Sequence, residues 1–486
     1  MNVATDIEGH EADAPALVSR SRVTTYGTLR EQVARMRGGL AARGIEPGDR
    51  VAIVAANSWY FVTAYLAVLG AGAIAVPLNP QSPAPEIEHE LRQVGAKLTL
   101  IGPGARQVMD TVDRASLPDH GGTVEVPDLL DGEAVPLVDR DPDDVAVLLF
   151  TSGTAGWPRP AMLTHGNLAS NVDQVVANPL RPEGVDDIAL CALPLFHVFG
   201  LNTVLGVALR EGGTAVLVER FDPHSTLEQI AEHGVTMLTA VPTMWAAWAE
   251  LRDARPDAMA TVRVAVSGAA PLEPDVRRAV RERFGIDLTE GYGLTEASPA
   301  VTSGFGHDAP DGSIGVPLPG VSVRLVDSVG EDALVGDPGE IWVKGPNVFP
   351  GYWNDEEATR SALTPDGWLR TGDMAVVDDH GFLSLVDRVK DVIIVSGFNV
   401  YPAEVEDVLM HHPGVEAAAV VAVPHPHSGE AVRAFVVVED GAHVDEDGLA
   451  DHAARHLARY KCPSTITFVD EIPQSVTGKV LRRALR

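Results

Sequence analysis

The residues from Val145 to Phe150 are apolar without interruption and end abruptly in Thr151, Ser152, Gly153, Thr154, Ala155 and Gly156. A run this short, bounded by a turn, reads as a buried strand. In the loop behind it, hydroxyls alternate with small residues that let backbone N–H groups come close to a ligand. Hydroxyls and N–H groups donate, phosphate oxygens only accept, and Arg159 adds a full positive charge just beyond. The loop therefore suits a phosphate, although no G-x-x-x-x-G-K-S/T occurs and it is not a Walker A sequence. A surface turn rich in Gly, Ser and Thr has the same composition, so this loop alone decides nothing.

The same strand-forming chemistry recurs along the chain. Val51 to Pro85 carries no charged residue, but Asn57, Gly70, Gly72, Pro77 and Pro80 interrupt it. It reads as a strand (Val51 to Ala55), a helix (Trp59 to Leu69) and a strand (Ala73 to Val76), not as a membrane span. Upstream, Leu29, Val33, Met36 and Leu40 recur at helical spacing behind a Thr28-x-x-Glu31 capping box, and Gly44 ends that helix. Short apolar runs at Lys97 to Ile101, Thr214 to Val218 and Thr236 to Ala240 continue the alternation. The expected fold is α/β: a large N-terminal domain of doubly wound layers with a β-rich subdomain, then a small α+β C-terminal domain. After Pro299 the density of Gly and Pro rises, and Val321 to Val326 and Glu340 to Val343 read as antiparallel strands. Beyond Lys390 the order becomes helix Ala403 to Met410, strands Val415 to Val423 and Ala431 to Val438, and helix Glu446 to Leu457. The boundary is expected between residues 1–389 and 390–486.

A formal net charge of -31 argues against nucleic acid as a partner, so an anionic ligand needs locally placed cations and N–H groups. Two cysteines, Cys191 and Cys462, suggest neither a disulfide framework nor a thiolate metal site. The acidic N-terminus lacks the basic and apolar regions of a signal peptide, and a reducing cytoplasm is expected. His411, His412, His425 and His427 have no carboxylate or cysteine at ligand spacing.

Other stretches carry chemistry. From Cys191 to Leu209 there is no Lys, Arg, Asp or Glu, and His197, Phe199, Gly200 and Leu201 could wall a tunnel for an uncharged tail. An apolar helix with one satisfied histidine would look the same. In EGYGLTE, Glu290 to Glu296, Tyr292 between Gly291 and Gly293 could stack on a purine, and Glu296 could offer Mg²⁺ a hard oxygen. SGAAP, Ser267 to Pro271, follows a strand expected at Val262 to Val266 and makes a second close-approach loop through Gly268, Ala269 and Ala270. Thr371-Gly372-Asp373 reads as a turn whose carboxylate could accept two hydroxyl hydrogen bonds.

TSGTAGWPRP, PLFHVFG, SGAAPL, EGYGLTE, TGD, DRVKD, GFNVYPAEVE and TGK follow one another in the order and spacing of the acyl-adenylate-forming superfamily, and the chain most closely resembles fatty acyl-CoA synthetases from about Thr25 to Lys479. The resemblance implies ATP, Mg²⁺ and coenzyme A as cofactors and a fatty acid as substrate. It implies that Thr151, Ser152, Gly153, Thr154 and Gly156 hold the ATP phosphates, with Arg159 in the family's lysine position. Tyr292, beside Gly268 to Ala270, would stack on adenine. Thr295 would contact the α-phosphate, Glu296 the Mg²⁺, and Asp373 and Arg388 the ribose. Lys479 would bridge the carboxylate and the α-phosphate, where a cation stabilises the charge that gathers in the transition state. His197 would border the acid. The small domain would pivot near Lys390 and bring Gly397 to the site for CoA.

The phosphate loop departs from the family's pattern at Ala155, Arg159 and Pro160. Arg keeps the charge with another geometry, and proline removes an N–H. An amino-acid substrate would need a carboxylate near His197 for its ammonium, and the segment has none, so an uncharged acyl tail is favoured. An aryl acid, an acyl carrier protein as acceptor in place of CoA, a homodimer, and a nucleotide-binding relative with impaired catalysis remain the alternatives.

Overall fold

The computed structural model describes residues 1–113, 117, 121–151, 158–178, 187–388, 391, 393–395, 398–425, 429–457, 459–474 and 480–485. The chain divides into two compact units. The first comprises Met1–Ala309, Gly315–Ser322 and Val343–Leu369, and the second Pro310–Ile314, Val323–Trp342 and Arg370–Arg486.

In the first unit the uncharged run folds as a buried parallel pair joined by a helix. Strands Arg50–Val54 and Ile74–Leu78 align Val51 with Ala75, and helix Trp59–Gly70 is buried at nearly every position. The second strand runs on through Pro77 to Leu78, beyond the Val76 end expected from the proline. Pro77 pairs with Ile53, and the ladder to the next strand is recorded only at Ala75 and Val147, so the missing N–H falls where that pairing has ended. A seven-stranded sheet runs in the order Gly351–Tyr352, Arg159–Thr164, Val145–Thr151, Ile74–Leu78, Arg50–Val54, Leu98–Ile101, Thr123–Glu125. Its core includes Val54, Val76, Ile87, Leu91 and Leu148.

A second set of parallel strands in this unit follows the order Pro15–Ser19, Thr214–Leu217, Ile188–Cys191, Met237–Ala240, Val264–Ser267, Thr289–Gly293, after which Ala300–Ser303 turns antiparallel. The first long helix, Tyr26–Ala41, starts earlier than the Thr28-x-x-Glu31 pattern suggests. Its N-cap is Thr25, whose hydroxyl accepts from the Thr28 N–H. Tyr26 is buried with its hydroxyl on the Gly213 carbonyl at 2.8 Å, and that anchor sets the helix start.

In the second unit Leu369–Val377 and Leu383–Arg388 pair antiparallel, with Asp373 opposite Arg388. Thr371 to Asp373 therefore lie inside a strand, not in a turn. Thr371 bonds the Ile341 carbonyl at 2.7 Å, and the Gly372 N–H bonds Glu340, so a sheet neighbour takes the groups a turn would have paired locally. The C-terminal part carries helices Pro402–Met410 and Glu446–His456 and long strands Val415–His425 and Gly429–Val438, over a core of Val405, Leu409, Val420, Val436 and Leu449. Among the described residues no helix is long and apolar enough to cross a membrane.

Candidate active site

Strands Val145–Thr151 and Arg159–Thr164 form a paired stem that flanks the Thr/Ser/Gly sequence, with Thr151 opposite Arg159 and Phe150 opposite Pro160. Ser152, Gly153, Thr154 and Gly156 lie outside the described residues. The Thr151 hydroxyl donates to the Arg159 carbonyl at 3.4 Å, and the Arg159 guanidinium stands 3.2 Å from Asp355. The Pro160 carbonyl accepts from the Trp353 N–H at 2.9 Å. In a strand a residue's N–H and C=O point the same way. The N–H that Pro160 lacks would therefore face Trp353, and the stem loses no ladder bond to Val145–Thr151.

Past Pro160 the short strand Gly351–Tyr352 pairs with Ala161 and Met162. It delivers the Tyr352 hydroxyl to Glu296 Oε1 at 2.7 Å. Burial and the neighbouring Glu296 charge push the phenol well above its ordinary range. Glu296 sits in the 3₁₀ turn Thr295–Ala297, and its carbonyl accepts from the Phe349 N–H at 2.9 Å. Just upstream Gly293 is required by contact: a Cβ there would stand 2.3 Å from the Pro299 carbonyl oxygen, which already accepts from the Leu294 N–H. Tyr292 is buried, and Gly291 lies beside it in strand Thr289–Gly293.

Glu290 ties the SGAAP segment to the strand that carries Tyr292. Its buried carboxylate accepts from the Leu272 N–H at 3.2 Å and pairs with Arg277 at 2.5 Å. Gly268, Ala269 and Ala270 are thereby fixed beside the Tyr292 strand. Ala269 adopts a left-handed backbone, φ 71°, which is uncommon for a residue with a Cβ. Gly268 meets the Phe199 ring.

Phe199, Gly200 and Leu201 open a π-helical segment, Phe199–Gly206, in place of an ordinary α-helix. Wider turns of this kind are frequent at functional sites. Leu201 is buried, and its N–H donates to the His197 carbonyl at 3.0 Å. The His197 Nε2 is sealed from solvent and has no hydrogen-bond partner among the described residues. Burial lowers the imidazole to about 4, so it is neutral at ordinary pH.

In the second unit Asp373 is buried and its N–H donates to the Thr371 hydroxyl at 3.1 Å. The backbone of Arg388 is placed opposite it. Lys390, Gly397 and Lys479 lie outside the described residues. Gln474 bridges Val480, and Arg482 Nη2 donates to both carboxylate oxygens of Glu406 at 2.8 Å, fastening the 3₁₀ turn Arg482–Leu485 to helix Pro402–Met410. Nothing in the local sequence marks Arg482, Glu290 or Tyr352, since each acts through a distant partner.

The AMP-binding enzyme family matches residues 4–353, and the AMP-binding enzyme C-terminal domain matches residues 404–479. A feruloyl-CoA synthase of Amycolatopsis sp is 40% identical over 471 residues, covering 95% of this chain and 93% of that protein. A long-chain-fatty-acid–CoA ligase of Escherichia coli O6:H1 is 36% identical over 520 aligned residues, covering 98% and 92%. Among solved structures, ATP-bound MatB from Rhodopseudomonas palustris superposes with a TM-score of 0.92 at 33% identity, covering 100% of this chain and 98% of that one.

Proposed function

This chain belongs to the AMP-binding enzyme family, and on that premise we propose that it is an AMP-forming acid–CoA ligase whose acid is a fatty acid. A carboxylate oxygen attacks the α-phosphorus of ATP, giving an acyl adenylate and pyrophosphate. The thiol of CoA then attacks the acyl carbon, and AMP leaves. Adenylation is needed because a carboxylate is a poor acyl donor, whereas AMP departs readily.

The observation that carries the reading is the junction at Gly351 to Asp355. One short segment bonds the phosphate-loop stem through Trp353 and Asp355 and the Glu296 carboxylate through Tyr352. A nucleotide phosphate and a divalent cation need those two groups side by side. Among the described residues no cluster of His, Cys, Asp and Glu could hold a metal alone. Glu296 nevertheless fits Mg²⁺, which is usually held by one or two carboxylates together with substrate phosphates. When bound, the ion would neutralise charge on the phosphate oxygens.

In this reading Thr151, Ser152, Gly153, Thr154, Gly156 and Arg159 hold the phosphates. Tyr292 and Gly268 to Ala270 take the adenine, Thr295 the α-phosphate, and Asp373 and Arg388 the ribose. Lys479 supplies the transition-state cation. Residues 390–486 act as a mobile domain pivoting at Lys390, and Gly397 makes room for the pantetheine. The cytoplasm is the compartment that suits this chemistry.

The acid is uncharged beyond its carboxylate, because Cys191 to Leu209 offers no ion to pair with a second charge and His197 is neutral. A hydroxycinnamate-type aryl acid is the second reading, favoured by the 40% identity to a feruloyl-CoA synthase. Pyrophosphate release and CoA thioester formation, measured with fatty acids of graded length and with ferulate, test both. Turnover of ferulate alone would replace the fatty acid, and transfer only to a phosphopantetheinylated carrier would replace CoA.

A further inference from the structure

Glu296 and Tyr352 are held by a lattice of side-chain amides. Asn171, on helix His165–Val176, donates to the Ala300 carbonyl at 2.8 Å and accepts from the Ala300 N–H at 3.0 Å. Asn202 donates to the Ser298 carbonyl at 2.8 Å, and Asn347 to the Ala297 carbonyl at 2.9 Å. The backbone immediately after Glu296 is therefore gripped at Ala297, Ser298 and Ala300. Asn167, a turn earlier on the same helix, donates to the carbonyls of Pro346 and Val348, which lead into Tyr352. All these bonds are buried or partly buried, where an amide left unpaired is costly, so the lattice keeps both segments in one register.

On this frame we propose that Tyr352 is a positioning residue for the divalent cation of the adenylation step. Its hydroxyl holds Glu296 Oε1 at 2.7 Å and so fixes the rotation of the carboxylate, leaving the other oxygen as the ligand to the ion. A carboxylate free to rotate would lose the ion more readily, and partners that orient a metal ligand typically change affinity ten- to a hundredfold. The inference rests on the reading of Glu296 as the Mg²⁺ ligand.

The test uses the full-length protein with ATP and Mn²⁺ as a paramagnetic substitute, free Mn²⁺ being followed by electron paramagnetic resonance. Tyr352→Phe removes only the hydroxyl and should raise the Mn²⁺ dissociation constant about tenfold. The Mg²⁺ concentration needed for half-maximal pyrophosphate release should rise equally, and thioester formation from supplied acyl adenylate should be unchanged. In a Glu296→Gln background the same substitution should have no further effect on Mn²⁺, since a hydroxyl acting through Glu296 cannot act without it. Unchanged Mn²⁺ affinity, additive effects in the double variant, or equal loss of both half-reactions would overturn the proposal, as would a wild-type protein that takes up no Mn²⁺ with ATP. Intact Mn²⁺ behaviour in a wild-type protein that activates no acid would instead remove the ligase reading and leave Tyr352 in its role.

Discussion

The ring of Phe199 stands where a side chain on Gly268 would begin: a Cβ at Gly268 would lie 2.8 Å from the ring's Cζ. This contact joins the π-helical segment to the loop beside Tyr292, so the wall proposed for the acid and the loop proposed for the adenine share one boundary. Glycine is needed there for space, not for backbone conformation.

Gly268→Ala should therefore drive the Phe199 ring into the neighbouring space and shift preference towards smaller acids. Burying a methylene is worth ~0.8 kcal/mol, so kcat/KM should favour the shorter acid by up to about fifteenfold for every two carbons removed. Phe199→Leu in the same background should restore the original profile. A chain-length profile that does not move in Gly268→Ala would place the acid elsewhere.

Lys479→Ala should lower pyrophosphate release by a factor of about a hundred to a thousand, as loss of a transition-state donor does. Nucleotide binding and thioester formation from supplied acyl adenylate should persist, because CoA transfer does not need that cation. Single-turnover assays of the two half-reactions separate these outcomes. Equal slowing of both would assign Lys479 another role.

Acid sensitivity should come in part from His165, at the start of helix His165–Val176. His165 is fully buried, its Nδ1 accepts from the Val3 N–H at 3.2 Å, and its Nε2 has no partner among the described residues. Burial, with the nearby Arg140 charge, lowers it from 6.5 to about 4. Its contribution is complete above pH 6.5 and is lost as pH falls towards 4, because the unfolded chain takes up a proton that the folded chain refuses. The slope is ~1.4 kcal/mol per pH unit. His197 acts with the same sign in the same window. His165→Asn, which keeps an acceptor for Val3, should give a shallower fall in the urea midpoint on acidification.

Glu90 should act in the opposite direction. Its carboxyl is buried, Oε2 has no hydrogen-bond partner among the described residues, and burial followed by the Glu86 charge raises it from 4.5 to about 8. Between those values the unfolded chain releases a proton that the folded chain retains, so stability falls as pH rises, again by ~1.4 kcal/mol per unit. Above pH 6.5 both histidines are neutral folded or unfolded, and the interval up to about 8 isolates Glu90. Glu90→Gln should flatten the stability profile there. An unchanged slope would mean that the folded carboxyl ionises normally.

Element type was legible from the chain because it rests on near neighbours. Apolar runs, glycine stops and period-two alternation lie within a few residues, and they identify the strand-helix-strand unit at 50–78, the stem at Val145–Thr151, the antiparallel strands after Pro299 and the C-terminal α+β part. Fold class and the order of the motifs follow from that local information. What only the tertiary structure decided are features whose partner is remote. Thr25 rather than Thr28 caps its helix because Tyr26 is anchored on Gly213, and Thr371 to Asp373 extend because a sheet neighbour satisfies them. Phe199–Gly206 widens into a π-helix while its apolar composition suits any buried helix. Tyr352 meets Glu296 and Asn171 meets Ala300 across loops whose composition reveals neither contact. The physical reason is that a hydrogen bond depends on distances of a few tenths of an ångström. Periodicity specifies which face of an element is apolar, and only packing in three dimensions brings two such faces into register.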